Sequence, residues 1–467
     1  MIADRAAIEH GSARSSETGI GWLFQRLPQW GDRTALIWRD ETWSYRRLCD
    51  RADACLLDFD RHGIQPGMTV AICGDYSPTA CALLIAALGN RNIIVPITPA
   101  AGGRRDRMLE RAEAQAIAEL QADDTIRFFR TGRAVAHGLL TRLAASNAPG
   151  LVLFSSGSSG DSKAAVLDFS ALLRRFRNQR PGFVTLAFLL LDHIGGLNTL
   201  FHALCHGGTV VTAPDRSPDS VAAAIAKHRV QLLPTTPTFL RMMLISDAHE
   251  RHDLSSLEII TYGTEPMPAA TLQAVRRAFP RVRLKQTYGL SELGILPTQS
   301  RSANSLWLKL GRDGFEHRII DSVLHIRADS AMLGYLNAPA PFDADGWFNT
   351  NDLVETDGEY IRILGRQTEL INVGGEKVHP TEIENVLLQI DNVRDATVST
   401  RPNPVTGAVV AARITPCRPE QPDQLKRRIR RFCEDRLERY KVPVLVQIVE
   451  ADQHGVRFKK SRAASEC

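Results

Sequence analysis

The chain has 467 residues, three times the ~150 residues of one ordinary domain, so we expect more than one hydrophobic core. Its 44% hydrophobic and 23% charged residues are close to the averages of soluble globular proteins, which excludes a fibrous or wholly disordered chain. The net charge of +5 is too small on this length to indicate a nucleic-acid or membrane partner.

The cysteines and the N-terminus indicate the compartment. The 8 cysteines are scattered, without a CxxC pair or a metal-ligand spacing with histidine, so we expect neither a disulfide framework nor a zinc site. Residues 1–17 carry Asp4, Arg5 and Glu9 where a signal peptide needs an apolar core, and the longest apolar run, 183–191, is too short to cross a bilayer. We therefore predict a cytoplasmic protein with no membrane or nucleic-acid partner; its oligomeric state stays open.

Apolar runs that alternate with helix-like segments predict an α/β body with layered, mostly parallel sheets. A helix over 48–61 and a strand over 70–73 are followed by a helix over 78–89 and a strand over 93–96. Further apolar runs predict strands at residues 151–154, 185–191, 209–212, 230–233, 258–261 and 283–286.

After about residue 365 the pattern changes and predicts a smaller α+β domain. A short strand over 369–373 precedes a helix that begins at Pro380, with Thr381 and Glu384 in capping-box spacing, and a charged helix covers 425–440. No long Gly/Ser linker joins the two parts. We therefore divide the chain into a body of residues 1–366 and a mobile C-terminal domain of residues 367–467.

The sharpest local feature is an apolar strand that runs into a Gly/Ser loop ending in lysine. Small residues let backbone N–H groups turn toward an anion, while hydroxyls add donors and the lysine adds a point charge. The loop therefore indicates polyphosphate binding, with a flexible surface loop as the alternative. A Walker A loop fits poorly, because Ser162 and Ala164 flank the lysine. The candidate residues are Ser155, Ser156, Gly157, Ser158, Ser159, Gly160 and Lys163.

Two later segments carry further candidates. Residues 286–292 read QTYGLSE at the end of a predicted strand, where a ring can stack on a base, a hydroxyl can bond a phosphoryl oxygen and a carboxylate can hold Mg²⁺. Residues 345–353 read DGWFNTNDL and residues 365–377 read GRQTELINVGGEK. Taken singly, these segments would be unremarkable turns.

In this order, over residues 43–462, the segments resemble the adenylate-forming superfamily of acyl- and aryl-CoA synthetases, adenylation domains and luciferases. The Ser/Gly loop is similar to the family's TSGTTGxPK, residues 288–292 to YGxTE, 346–352 to GWxxTGD and 365–384 to GRxxxxIxxxGxxxxPxEIE. Residues 262–266 similarly resemble the GGE segment of the adenine pocket, and residues 192–196 resemble the stretch with a gating histidine.

The resemblance implies ATP- and Mg²⁺-dependent activation of a small carboxylic acid to an acyl-adenylate, with pyrophosphate release, followed by transfer to the thiol of coenzyme A. It assigns the Ser/Gly loop to the β- and γ-phosphates of ATP, Ser291 to the α-phosphate and Glu292 to Mg²⁺. Tyr288 would stack on adenine and Asp352 would bind the ribose. Further implied binding residues are Gly263, Glu265 and Arg366 for the nucleotide, and Gly374, Gly375 and Lys377 for the thiol arm.

The family also places an adenylation lysine near the C-terminus in a GKxxR-like pattern. The Lys-x-x-Arg spacing selects Lys459, with Lys460 as the second choice and a solvated basic tail as the alternative. The chain departs from the family patterns at the loop proline, at two glycines and at the hinge position, where it has Ser162, Asn351, Phe458 and Thr368 respectively.

Substrate and acceptor are less sharply indicated. His193 stands where amino-acid-activating relatives usually place an aspartate, which favours a neutral acyl or aryl acid; a shift of one position to Asp192 would favour an amino acid. The basic run at 426–431 could meet a CoA phosphate, an acidic carrier protein or only solvent. CoA is the favoured acceptor. The alternatives are a ligase that loads the phosphopantetheine of an acyl carrier protein, and a nucleotide-binding protein without turnover.

Overall fold

A computed structural model describes residues 19–155, 162–311, 313–404, 406–450, 453–455 and 458. No helix among these residues combines the length and apolarity that crossing a membrane requires. The helices in chain order are α1 (Gly21–Arg26), α2 (Tyr45–Arg61), α3 (Pro78–Gly89), α4 (Arg105–Arg111), α5 (Gly138–Ala145), α6 (Phe169–Leu173), α7 (Ile194–Cys205), α8 (Pro218–His228), α9 (Pro237–Ile245), α10 (Ala248–Arg251), α11 (Ala269–Ala278), α12 (Pro380–Leu387) and α13 (Pro422–Glu434).

The strands follow the same chain order. In the first part of the chain they are β1 (Thr34–Trp38), β2 (Glu41–Ser44), β3 (Thr69–Cys73), β4 (Ile93–Ile97), β5 (Ala116–Leu120), β6 (Ile126–Arg130), β7 (Gly150–Ser155), β8 (Lys163–Asp168), β9 (Val184–Leu186), β10 (Thr209–Val211), β11 (Leu232–Thr235), β12 (Ile259–Tyr262) and β13 (Arg283–Gln286). In the second part they are β14 (Tyr288–Leu290), β15 (Gly294–Leu296), β16 (Thr298–Ser300), β17 (Leu308–Leu310), β18 (Phe315–Ile320), β19 (Val323–Ala328), β20 (Gly334–Tyr335), β21 (Phe348–Asp357), β22 (Tyr360–Arg366), β23 (Ile371–Val373), β24 (Glu376–Val378), β25 (Val393–Asn403), β26 (Gly407–Pro416) and β27 (Leu445–Ile448).

The described strands of the body include two seven-stranded sheets. The first has the order β13-β12-β11-β9-β10-β1-β2 and is parallel except where β2 meets β1. The second has the order β20-β8-β7-β4-β3-β5-β6 and is parallel at its centre. The predicted α/β class with layered, mostly parallel sheets is therefore confirmed.

Helix α3 shows how the layers are held together. The hydroxyl of Ser77 accepts the backbone N–H of Ala80, and Pro78 begins the helix, which suits the first turn. Every residue of α3 is buried, and the core that contains α3 also contains inner residues of both seven-stranded sheets, such as Leu36 and Leu151. A helix that is apolar on all sides is typical of a layer with sheets on both faces.

The sequence did not predict the six-stranded antiparallel sheet that residues 298–366 contribute to the described structure. Its strands lack continuous apolar runs because their residues alternate between buried and partly exposed positions, as in β19 and β21. The strand predicted over 185–191 was too long. β9 ends at Leu186 because the N–H of Phe188 turns back to the Leu186 carbonyl at 3.0 Å.

The C-terminal part has a core of its own, formed by buried residues between Ile371 and Val442. It contains the three-stranded sheet β25-β26-β27 and the helices α12 and α13. The charged helix predicted over 425–440 ends at Glu434, and a separate 3₁₀ turn covers Arg439–Lys441. The domain boundary after Arg366 stays a prediction.

The predicted capping box of α12 was wrong. His379 precedes the helix, which begins at Pro380, and no side chain caps it. Thr381 lies inside the first turn, and its hydroxyl donates to the Leu364 carbonyl at 2.6 Å. Glu384 is buried and accepts the N–H of Val398 at 3.0 Å. The spacing was right for a capping box, but Pro380 starts the helix so that His379, two residues before Thr381, is the N-cap, and both side chains bond other strands.

Candidate active site

The predicted nucleotide-binding segments meet at the carboxyl edge of the first sheet. β11, β12 and β13 are parallel neighbours in register, with Thr235 opposite Tyr262 and Tyr262 opposite Gln286. The chain leaves this edge into Thr236, Gly263 and the segment that begins β14. Open α/β sheets bind ligands at the carboxyl ends of their strands, so this edge is the candidate site.

A buried carboxylate, Asp352, joins β21 to the β14 segment. The Tyr288 hydroxyl donates to Asp352 Oδ2 at 2.5 Å. Arg366, the cross-strand partner of Asp352, places its Nε 3.3 Å from Asp352 Oδ1. Burial raises the pKa of Asp352, although Arg366 and Tyr288 both oppose that rise. Burial also raises the pKa of Tyr288 well above its usual value, so its hydroxyl stays a donor.

The pKa of Arg366 shifts upward. Burial alone would lower the pKa of Arg366, but the attraction of Asp352 and other nearby acidic groups outweighs that effect. Arg366 therefore stays protonated beside the Asp352 carboxyl.

A second carboxylate, Glu292, lies in the turn between β14 and β15. Its backbone carbonyl accepts the N–H of Met332 at 2.7 Å, and its Oε1 accepts the Tyr335 hydroxyl at 2.7 Å. Burial, with Glu292 as a second cause, raises the pKa of Tyr335, which keeps this hydroxyl protonated. One hydrogen bond thus fixes the backbone of Glu292 and a second orients its side chain.

The residues present fit Mg²⁺. The described residues contain no group of three or more His, Cys, Asp or Glu side chains that could hold a metal. Mg²⁺ commonly binds one or two carboxylates together with substrate phosphates and water. A single positioned carboxylate, Glu292, is therefore an adequate protein contribution when phosphate oxygens complete the shell.

The ends of the Ser/Gly loop belong to one hairpin. Ser155 ends β7 and pairs with Lys163, the first residue of β8. Lys163 Nζ lies 5.3 Å from the centre of the Tyr335 ring, and Asn337 fixes the far end of the loop by donating to the Ser162 carbonyl at 3.0 Å. Lys163 and Glu292 therefore both contact Tyr335. The other loop candidates, Ser156, Gly157, Ser158, Ser159 and Gly160, lie outside the described residues.

Gly263 and Glu265, which follow β12, both lie against neighbouring backbone segments. A Cβ at Gly263 would lie 2.5 Å from Thr287 Oγ1 and 2.7 Å from the Thr287 carbonyl oxygen, so the close approach of β12 and β13 requires glycine there. Glu265 Oε1 accepts the N–H of Thr238 at 2.8 Å, in the first turn of α9. Their assignment to the adenine pocket stays a prediction, as does the α-phosphate contact of Ser291.

The two alternatives at the acid-binding position differ in burial. His193 is half-buried at the start of α7, where its Nδ1 accepts the N–H of Gly195 at 3.1 Å. Asp192 is 2% exposed, and its Oδ2 accepts the Thr98 hydroxyl at 2.8 Å. Several apolar neighbours are packed in the main core, namely Leu191, Ile194, Leu197, Leu293 and Leu296. The partly exposed apolar neighbours are Leu189, Leu290 and Ile295.

The glycine turn predicted for the thiol arm joins β23 to β24. Gly374 and Gly375 have φ values of +61° and +98°, in the region that glycine favours. The N–H of Gly374 donates to the Thr406 carbonyl at 3.0 Å, and the N–H of Gly375 donates to Asn372 Oδ1 at 2.9 Å. Lys377 is exposed on β24. These contacts lie within the C-terminal domain.

The tail that carries the predicted adenylation lysine reaches the body. Lys459 and Lys460 lie outside the described residues, but Phe458 directly precedes them. The Thr236 hydroxyl donates to the Phe458 carbonyl at 3.0 Å. Thr236 follows β11, so Phe458 is bound at the same edge of the sheet as the other candidates.

Sequence reasoning missed two residues. Tyr335 lies on the two-residue strand β20, which has no hydrophobic pattern to read. Arg241 lies in the middle of α9 and resembles an ordinary charged helix residue, but its side chain donates to backbone carbonyls of the C-terminal domain. Neither residue has a local sequence signal, because the partners of both are distant in the chain.

Comparison with known proteins identifies the family. The profile of the AMP-binding enzyme family matches residues 23–312, and the profile of the AMP-binding enzyme C-terminal domain matches residues 382–458. The chain therefore belongs to the AMP-binding enzymes. The superfamily inferred from the motifs is confirmed.

Individual relatives are similar over nearly the whole chain. The chain is 28% identical to an indoleacetate–CoA ligase of Aromatoleum aromaticum, over 89% of this chain and 93% of that protein. It is 25% identical to a 2-succinylbenzoate–CoA ligase of Bacillus subtilis, over 90% of this chain and 92% of that protein.

Solved structures show the same fold. The crystal structure of the anthranilate CoA ligase AuaEII in complex with anthranoyl-AMP gives a TM-score of 0.79 at 19% identity, covering 94% of each chain. The Bacillus subtilis o-succinylbenzoate CoA synthetase (MenE) in complex with its acyl-adenylate OSB-AMP gives a TM-score of 0.77 at 22% identity, covering 94% of this chain and 96% of that chain.

Proposed function

We propose that this protein is an acid–thiol ligase that forms an acyl-adenylate. In the first step a substrate carboxylate oxygen bonds to the α-phosphorus of ATP, and the bond from that phosphorus to pyrophosphate breaks. In the second step a thiol sulfur bonds to the acyl carbon, AMP leaves with the electron pair of the broken carbon–oxygen bond, and the thiol proton passes to solvent.

The observation that carries the proposal is a cluster of two positioned carboxylates and two cations, in which Arg366 interacts electrostatically with Asp352, Glu292 and Tyr335. Asp352 is bonded by Tyr288 and Arg366, and Glu292 shares Tyr335 with Lys163. Full-length similarity to CoA ligases supports the same reaction class.

The chain's own residues can neutralise the phosphate charge that would repel the attacking carboxylate in the first step. Attack by an anion on a polyphosphate needs neutralised phosphate charge and alignment with the leaving group, rather than a general base, because a carboxylate is already ionised near neutral pH. Lys163 would contact the terminal phosphates and Ser291 the α-phosphate. Asp352 would accept ribose hydroxyls with Arg366 beside it. Mg²⁺, held by Glu292, would neutralise phosphate charge when bound.

The acid substrate is proposed to be a neutral acid with an aryl or other large apolar group. Asp192 is buried and bonded to Thr98, so its carboxylate is poorly placed for a substrate amine, whereas His193 is half-buried. Partly exposed apolar side chains nearby, such as Leu290, would contact the acyl group. The acids in the names of the relatives, indoleacetate, 2-succinylbenzoate and anthranilate, all carry an aromatic ring.

Coenzyme A is the proposed acceptor, as in the names of the relatives. The basic run on α13 gives little support to either acceptor. Ile429 in the middle of the run is buried, Arg428 binds Glu420 at 2.7 Å and Arg430 binds Glu434 at 2.9 Å. Two of the five cations of the run are therefore paired with acidic side chains of the helix and its neighbours.

Carboxylate-dependent exchange of labelled pyrophosphate into ATP tests the proposal. A panel of aryl, aliphatic and amino acids should give exchange with at least one aryl or apolar acid, and CoA should then yield the thioester. Transfer to holo-carrier proteins without transfer to CoA would establish the carrier-loading alternative. No exchange with any acid, despite ATP binding, would indicate a nucleotide-binding protein without turnover.

A further inference from the structure

Helix α9 of the body binds the C-terminal domain through a partly buried arginine. Arg241 Nε donates to the Arg394 carbonyl at 2.7 Å, and Arg241 Nη2 donates to the carbonyls of Val393 at 2.8 Å and Leu388 at 3.4 Å. Leu388 directly follows α12, and Val393 and Arg394 begin β25. Carbonyls at the end of a helix lack partners within it, so the guanidinium bonds one carbonyl at the end of α12 and two at the start of β25.

A second contact lies at the start of the same helix. Thr236, the residue before α9, bonds the Phe458 carbonyl. The Phe458 ring centre lies 5.5 Å from that of Phe239 on α9 and 5.1 Å from that of Phe188. Phe458 packs against the second core of the body. The residue that directly precedes Lys459 is thus bound to the body by its backbone and its ring.

Between these two contacts the domains are not closely packed. A cavity of about 420 Å³ separates them, lined on the body side by α9 residues such as Met242 and on the other side by Glu384 and Asn385 of α12. A gap of this size leaves its lining without dispersion contacts across it. The docking of the C-terminal domain on α9 therefore depends strongly on the contacts of Arg241 and Phe458 at its two ends.

We propose that Arg241 and Phe458 are positioning residues that hold the C-terminal domain in the adenylate-forming arrangement. The inference rests on the proposed function, because it concerns the step that uses Lys459. Lys459 follows Phe458 directly, and neighbouring Cα atoms are only about 3.8 Å apart, so fixing Phe458 restricts where Lys459 can act. Neither Arg241 nor Phe458 needs to touch a reacting atom.

Measuring the rates of the two half-reactions separately distinguishes this positioning role from a role in stability alone. Arg241→Met matches the unbranched aliphatic part of the side chain but removes all its donors. Adenylate formation, measured by pyrophosphate exchange, should slow about tenfold or more, since a charged donor to several carbonyls is lost. Thiol transfer from supplied acyl-adenylate should stay within about twofold, because an undocked domain still reaches other arrangements. Arg241→Lys retains a charge and one donor atom. Its rate of pyrophosphate exchange should lie between those of the wild type and Arg241→Met.

Phe458→Gly is an independent variant at the other contact. It removes the ring but leaves the backbone free to keep its conformation, and it should also slow adenylate formation while sparing thiol transfer. Arg276→Met is the matched control, because Arg276 donates to the Val282 carbonyl at 2.9 Å entirely within the body. This control should leave the ratio of the two half-reaction rates unchanged.

Hydrogen exchange gives a readout that does not need turnover. Amides of residues 236–245 and 388–394 should exchange faster in Arg241→Met than in the wild type, but not in Arg276→Met. Equal loss of both half-reactions in Arg241→Met, or unchanged exchange in both segments, would overturn the docking role. If no acid supports pyrophosphate exchange in the wild type, the proposed function fails, and the hydrogen-exchange comparison still decides the docking separately.

Discussion

Replacing Tyr288 with phenylalanine tests the charge of the buried Asp352. The ring that would stack on adenine remains, and only the hydroxyl that donates to Asp352 Oδ2 at 2.5 Å is lost. Because burial already raises the pKa of Asp352, losing this donor should raise the pKa further. The variant therefore separates the contribution of the hydroxyl from that of the ring.

The expected loss of unfolding free energy depends on whether the acceptor is charged. A hydrogen bond to a charged group contributes about 1.5–3 kcal/mol, and one between neutral groups about 0.5–1.5 kcal/mol. A carboxylate whose folded pKa is raised destabilises the fold once the pH exceeds the unfolded value, ~3.9 for aspartate. Tyr288→Phe should therefore cost ~1.5–3 kcal/mol at neutral pH, and less at acidic pH, where Asp352 is protonated in both states.

Urea unfolding at about pH 8 and at about pH 3, below the unfolded pKa of ~3.9, measures this difference. Tyr76→Phe is the matched control, since Tyr76 is also buried but donates to the neutral carbonyl of Gly196 at 2.8 Å. The loss of unfolding free energy caused by Tyr76→Phe should not change with pH. The KM for ATP should also rise in Tyr288→Phe, because Asp352 would hold the ribose. An equal cost at both pH values would refute an ionised, hydrogen-bonded Asp352.

Three further predictions concern other parts of the site and the body. Tyr335→Phe removes a fixed donor from Glu292 and should raise the Mg²⁺ concentration needed for half-maximal pyrophosphate exchange; an unchanged Mg²⁺ titration would argue against Glu292 as the ligand. Burial, then the neighbouring His206, lowers the pKa of His202 to about 4, so stability is lost as the pH falls from the unfolded value toward 4; His202→Gln should reduce that loss in acid unfolding curves. Lys459→Ala should abolish adenylate formation and spare thiol transfer from supplied acyl-adenylate, and equal loss in both assays would contradict its assignment.

The sequence was sufficient for features that are local in the chain. The buried strands β3 and β4 and the apolar helix α3 have continuous apolar patterns, so their positions were predicted within one or two residues. The motif residues Asp352 and Arg366 could be named because each lies in a short recognisable segment. Their direct pairing needed the register of β21 and β22, which depends on a sheet whose half-exposed strands gave no clear signal.

Contacts between distant segments could not be predicted. Tyr335 and Glu292 are 43 positions apart, and Arg241 reaches carbonyls about 150 residues later. A tyrosine on a two-residue strand and an arginine on a surface helix have many possible partners until the fold selects one. The capping-box error has the same origin, because Thr381 and Glu384 found partners on β22 and β25 that no local rule includes.

Two departures from the family's glycines adopt a backbone conformation that glycine favours. Asn351 and Phe458 stand where the GWxxTGD and GKxxR patterns have glycine, and their φ values are +57° and +50°. The left-handed conformation costs about 1–2 kcal/mol for most residues, and asparagine tolerates it best. At Phe458 the two aromatic contacts with Phe188 and Phe239 contribute about 0.5–1.5 kcal/mol each. That gain is comparable to the backbone cost, so the site keeps the geometry that glycine would give and also gains a contact that glycine could not make.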